Sequence, residues 1–158
     1  MGDGVQKVRV SLTKDHPLGN DVRVSLQSYI ANLTVPQKVE LAAKGNREVR
    51  LILSRDPSSI VARAVANSPR LSEPDVTAYA GSALTNEEIL RMIAESKEWA
   101  KNNRVKVLLA SNPRTPLAVA MRFLGHLPVS DLNMLARNRN ISMTIRQEAK
   151  RRVILSRK

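Results

Sequence analysis

Residues 49–80 read VRLILSRDPSSIVARAVANSPRLSEPDVTAYA, and residues 105–136 read VKVLLASNPRTPLAVAMRFLGHLPVSDLNMLA. Placed one above the other at an offset of 56, without gaps, the two stretches are identical at 8 of 32 positions. The pairs are Val49/Val105, Leu53/Leu109, Pro57/Pro113, Ala62/Ala118, Ala64/Ala120, Leu71/Leu127, Asp75/Asp131 and Ala80/Ala136. Composition alone would give roughly two. Val61/Leu117, Val65/Met121, Val76/Leu132 and Tyr79/Leu135 keep their apolar character as well. A duplicated helical unit with its breakers in register predicts an all-α fold built as an α-solenoid of stacked repeats. Such architectures are generally binding surfaces.

The periodicity extends beyond the repeat. Thr34-Val35-Pro36 predicts a helix start with proline in the first turn, and Lys44-Gly45 its end. Helices follow at about 47–54, 58–67, 73–81, 86–95, 97–102, 104–111, 115–125, 130–137 and 142–156. Asp56-Pro57, Asn67-Ser68-Pro69, Asn112-Pro113 and Leu127-Pro128 each remove a backbone donor where a helix must turn back. Thr85 with Glu88 reads as a capping box, with Leu84 stapled on Ile89, and Ser72 with Asp75 repeats it more weakly. Asp75 and Asp131 therefore read as charges at helix N-termini before any catalytic role. Helices of about ten residues cannot bury an apolar face alone and must pack in neighbouring pairs. Ala62, Ala64, Ala118 and Ala120 would let their axes approach, and the last helix would cap the stack with Met143, Ile145, Ala149, Val153 and Ile154 inward.

The first 33 residues differ. VRVSL occurs at 8–12 and again at 22–26, across the breaker-rich TKDHPLGND. The first copy alternates as a short strand or extended arm. The second can alternate too, but Val22, Leu26, Tyr29, Ile30 and Leu33 also fit helical spacing after Asn20-Asp21, and arm followed by helix is the favoured reading. The expected organisation is thus residues 1–33 as arm and first helix, and 34–158 as the repeat domain.

At 158 residues the chain is long enough to bury a core, and with only 3% aromatics that core must be aliphatic. It has no apolar run of membrane-spanning length, no secretory signal pattern and no cysteine, so a soluble, cytoplasmic protein is the expectation. The net charge is +12, and residues 101–158 hold 13 basic and 2 acidic side chains, nearly all of that excess. Such polarity implies an acidic partner. The candidate contacts are Arg104, Lys106, Arg114, Arg122, Arg137, Arg139, Arg146, Lys150, Arg151 and Arg152, with Lys101 beside them. The alternative is a solvated basic face. Arg outnumbers Lys 17 to 9, which suits planar carboxylate or phosphate contacts.

No catalytic constellation emerges. His16 and His126 belong to no ligand-spaced cluster, and His126, aligned with Arg70, reads as a surface residue at a turn. No Gly-rich phosphate loop or nucleophile elbow is present, so neither enzyme activity nor a cofactor or metal is expected. Trp99, at the junction of the two copies, reads as a wedge between helices or as an exposed anchor.

LTVPQKVELAAKGNREVRLILSRDPSSIVARAVANSP, from Leu33, and SKEWAKNNRVKVLLASNPRTPLAVAM, from Ser96, carry a D-P/N-P, V-A-x-A-V, S-P cadence. It resembles that of bacterial HEAT-like and leucine-rich-repeat-variant helical proteins. The resemblance covers about residues 33–155 and implies a right-handed stack of antiparallel helix pairs with a concave surface. Such folds serve as scaffolds and adaptors and, in one branch, as DNA-alkylation repair glycosylases. That branch uses aromatic and acidic residues in a DNA-facing cleft, and no such set can be matched here residue by residue. The function expected is therefore a non-enzymatic scaffold or adaptor whose basic half engages an acidic protein surface. Sequence-independent nucleic-acid binding through the same cations is the alternative, weakened by the few aromatics available for stacking. An anionic membrane surface ranks third, because no helix pairs a basic face with a large exposed apolar one.

Overall fold

The structure, a computed structural model, describes residues 11–15 and 19–157. The described residues form ten α-helices and one 3-10 turn, with no strand among them, an all-α architecture over the described residues. The helices are α1 (Asn20–Ala31), α2 (Val35–Lys44), α3 (Arg47–Leu53), α4 (Ser59–Ala66), α5 (Glu73–Gly81), α6 (Glu87–Glu95), α7 (Asn103–Ser111), α8 (Leu117–Leu124), α9 (Val129–Arg137) and α10 (Met143–Ser156), with the 3-10 turn at Trp99–Lys101. None is long and apolar enough to cross a membrane. The chain divides into two compact units, Met1–Asp75 and Val76–Lys158, the division falling inside α5.

In the first unit the local signals act as polar caps. The Thr34 hydroxyl accepts from the Gln37 amide while the Gln37 side chain accepts from Thr34 N–H, a full capping box with Pro36 in the first turn. Asn46 caps α3 by accepting from Val49 N–H, and Ser58 caps α4 by accepting from Val61 N–H. The second VRVSL copy is helical: Leu26 and Ile30 on α1 are buried while Val24 and Ser28, which alternation would bury with them, are exposed. Helix α1 packs on α3, and α2 on both α3 and α4. Val49, Leu53, Val61, Ala62 and Val65 are fully buried between them. Burying each larger aliphatic side chain contributes about 1.5–3 kcal/mol.

A buried ion pair ties this unit together. Arg50 Nη2 donates to Asp75 Oδ2 at 2.7 Å, with side chains only 5% and 1% exposed. Arg50 Nη1 donates to the Gly45 carbonyl, and the same Asp75 oxygen accepts from both the amide and the hydroxyl of Ser72. Asp75 is thus the first-turn charge its position implied, and also the counterion of a buried guanidinium. Gly45 leaves no room for a side chain: a Cβ there would lie 2.5 Å from the Leu41 carbonyl oxygen and from Val49 Cγ1.

Of the first VRVSL copy and the arm expected around it, residues 1–10 lie outside the described residues, as does His16. Segment 11–15 has no regular structure and is strapped to the α2–α3 junction. Asn46 donates its backbone N–H to Leu12 O, and its side-chain amide to Ser11 O and Lys14 O. Arg70 Nη1 donates to Thr13 O as well as to the Lys44 and Gly45 carbonyls. Asp15 accepts from Arg47 N–H at 2.8 Å and lies 3.9 Å from Arg70.

In the second unit α6 packs on the 3-10 turn and on α7, α7 on α8, and α10 on both α8 and α9. Ile145, Ala149 and Val153, on one face of α10, join Leu132, Leu135, Leu124 and Leu127 in one core. Asn112 closes α7 by giving its side-chain amide to Ala80 O and Ser82 O and accepting from Arg114 N–H.

Four expectations need correction. Thr85 does not cap α6: its hydroxyl donates to Tyr79 O, and Asn86 accepts from Glu88 N–H instead, while Leu84 is largely exposed. The helix expected at 97–102 is only the three-residue 3-10 turn. Met143 and Ile154 of α10 point outward, because Ile145, Ala149 and Val153 at i, i+4 and i+8 already fill the buried stripe. Finally, the aligned pairs Val61/Leu117 and Ala62/Ala118 are not buried alike. Helix α8 begins behind Pro116, two residues later than α4 in the aligned frame, and buries Ala120, Phe123 and Leu124 while Leu117 and Ala118 face out.

Two outcomes are expected. Asp75→Asn strands the Arg50 charge in the interior and should destabilise the first unit by about 3–5 kcal/mol in denaturant unfolding. The Asp15 carboxyl is held below its ordinary pKa chiefly by the Arg47 N–H, which outweighs the opposing desolvation, with the Arg70 charge adding less. A lowered folded-state pKa means this contribution is complete above the ordinary carboxylate pKa and is lost as pH falls through the lowered one. The protection factor of the Arg47 amide should therefore fall in that acid range, and at neutral pH in Asp15→Ala.

Candidate functional site

Every one of the ten basic candidates falls in the second unit. Arg104 and Lys106 lie on α7, Arg122 on α8, Arg137 at the end of α9, and Arg146, Lys150, Arg151 and Arg152 on α10. Arg114 and Arg139 occupy the turns after α7 and α9. The structure assigns them different electrostatic states. Arg151 and Arg152 share one counterion: Glu148 accepts from them at 2.6 and 2.9 Å, with a carboxylate side chain only 14% exposed. The Arg151 hydrogen bond, followed by the charges of both arginines, holds the Glu148 carboxyl below the ordinary range against its desolvation, and the same contact raises the Arg151 guanidinium. Among the described residues, none of the other eight candidates makes an ion pair.

An open cleft of about 490 Å³ gathers part of this set. The end of α6 supplies Ala94 and Glu95, and the 3-10 turn supplies Ala100 and Lys101. Lys106 enters from α7, Arg122 and Phe123 from α8, and His126 from the turn that follows. Because α8 begins late, Phe123 turns inward and forms part of an apolar floor, with the Arg122 guanidinium 5.5 Å over its ring. That stacking fixes a planar cation at the rim and leaves its donor edge available. Three cations and an imidazole around a partly apolar floor can hold a carboxylate or a phosphate oxygen together with a small apolar side chain. Glu95 adds one acceptor to the same wall.

Of the ten candidates, Lys106 and Arg122 line the cleft, joined by Lys101; the other eight do not. His126 is exposed, as expected for a turn residue, and its place in the cationic cleft was missed, as was that of Phe123. The internal alignment held one signal: the partner of His126 is Arg70, which in the first unit clasps three carbonyls. A shorter side chain at such a place leaves space. Trp99 is half-buried in the 3-10 turn, which packs on both α6 and α7, a position suited to a wedge. Among the described residues no group of three His, Cys, Asp or Glu is placed to hold a metal ion.

Comparison of the chain with protein-family models, with curated proteins and with solved structures gives no match in any of the three.

Proposed function

We propose that this protein is a non-enzymatic helical-repeat scaffold or adaptor, an α-solenoid of antiparallel helix pairs, that binds an acidic protein surface through its basic second half. The observation that carries the reading is the unpaired state of eight of the ten candidate cations among the described residues, two of them at a partly apolar cleft. Unpaired cations at a concave site lower the desolvation cost of docking a carboxylate, because no internal partner has to be displaced. Support for the repeat architecture comes from helices of 7–14 residues with short connections, and from polar caps that recur at the offset of 56. Asn46 and Asn102 accept from Val49 and Val105 N–H, and Asp56 and Asn112 accept from the amide two residues on.

A protein partner is favoured over nucleic acid by the cleft's own composition. Ala100 offers apolar contact beside the cations, and Glu95 can accept a peptide N–H, a donor that a duplex backbone lacks. The chain's one phenylalanine is covered by Arg122 and is not presented for base stacking.

Fluorescence anisotropy of the full chain with a labelled peptide of alternating Glu and Leu, and with random-sequence duplex DNA, separates the readings. The peptide should bind in the micromolar range, while duplex DNA should bind more weakly. Between about 50 and 200 mM salt the peptide should lose less than about tenfold in affinity, whereas a phosphate-tracking mode loses more. Glu148→Gln releases Arg151 and Arg152, which lie outside the cleft, and should tighten peptide binding by no more than about twofold. Duplex DNA binding tightly with a steep salt dependence, and no peptide binding, would transfer the function to nucleic acid.

A further inference from the structure

The first unit contains a worked example of peptide recognition made by the chain on itself. Segment 11–15 is held through four consecutive backbone carbonyls, those of Ser11, Leu12, Thr13 and Lys14, by Asn46 and Arg70. Its one charged anchor toward the unit is Asp15, set against Arg47 N–H and near the Arg70 guanidinium. The segment is bent, with the Thr13 and Lys14 amides donating to Ser11 Oγ, so such a mode reads a turn of backbone carbonyls and one carboxylate, with little dependence on the other side chains.

The offset of 56 continues upstream of the aligned stretch and carries this arrangement into the second unit. Asn102 caps α7 as Asn46 caps α3. Asn103, the equivalent of Arg47, donates to Asp131 at 2.6 Å, as Arg47 reaches Asp75 at 3.7 Å. The Arg70 guanidinium binds the carbonyls of Lys44 and Gly45, whose equivalents are Ala100 and Lys101. Those two residues, with His126 in the place of Arg70 and Lys106 in the place of Arg50, line the cleft of the second unit. Where the first copy is filled by a guanidinium and covered by a strap, the second has a shorter imidazole and about 490 Å³ of open space. The charge differs as well. Arg50 is neutralised by Asp75, whereas Lys101, Lys106 and Arg122 make no ion pair among the described residues.

We infer that this cleft takes a short, bent acidic peptide segment of a partner protein, seated as segment 11–15 is seated in the first unit. Its carboxylates meet Lys101, Lys106 and Arg122, and a small apolar side chain rests beside Ala100. The inference rests on the acidic-partner reading above and names the form of that partner and its place.

The test uses the full chain and a labelled heptapeptide, Ser-Leu-Thr-Glu-Asp-Glu-Asp, which follows segment 11–15 with the lysine replaced and two carboxylates added. Lys101→Glu with Arg122→Glu, both exposed positions, should weaken binding by about tenfold or more. Arg146→Glu with Lys150→Glu, the same charge change on α10 away from the cleft, should weaken it by less than about threefold. The all-amide peptide, with Gln and Asn for Glu and Asp, should not bind. Equal losses from the two double variants would overturn the cleft assignment and leave a diffuse acidic-partner reading standing. Undiminished binding of the all-amide peptide would overturn the charge complementarity. No binding of the acidic peptide to the unaltered chain would overturn both the inference and the reading beneath it.

Discussion

The Gly45 carbonyl receives two guanidinium donors, one from Arg50 inside the first unit and one from Arg70 at its surface. A helix end leaves such carbonyls without intrahelical partners, and at the tight α2–α3 connection there is no room for a side chain at residue 45. The two arginines satisfy it together. Each then reaches onward, Arg50 to Asp75 at the start of α5 and Arg70 to the backbone of segment 11–15. One under-satisfied acceptor thereby connects helix termination, the buried ion pair and the seating of the N-terminal segment.

The two copies show how one sequence plan yields two electrostatic outcomes. In the first, Arg at positions 47, 50 and 70 is drawn into contacts with Asp75, Asp15 and backbone carbonyls. In the second, Asn103, Lys106 and His126 stand at those places. Asn103 satisfies Asp131 without a cation, and the positive charge of Lys106 stays available at the cleft. The basic excess of residues 101–158 is thus in large part charge that the fold does not consume, Glu148 with its two arginines being the exception.

Much of the helical content was legible because proline, asparagine and serine mark helix ends by local chemistry, and local chemistry survives in the sequence. Thr34 and the proline-bearing turns fell where they were expected. The misreadings came from choices between equivalent local solutions. Thr85 or Asn86 could each cap α6, and a tertiary acceptor at Tyr79 decided between them. The rotation of α8 was hidden for a related reason: Leu117, Ala118 and Ala120 are all apolar, so the pattern does not say which of them faces in. The cationic set was visible as composition, but its division into paired and unpaired members depends on which elements bring Glu148, Phe123 and Lys101 near each residue.

The buried Arg50–Asp75 contact also constrains how the two halves of such a duplication can diverge. Either residue replaced alone leaves a charge or a fan of donors without its complement, whereas replacing both by matched apolar groups is far less costly. Single-step drift in the first copy is therefore blocked by epistasis between positions 25 residues apart. The second copy, where the aspartate is met by a neutral amide, has no such lock. Its equivalent positions can therefore change singly, so the surface of that half can alter while the first copy keeps its core contacts.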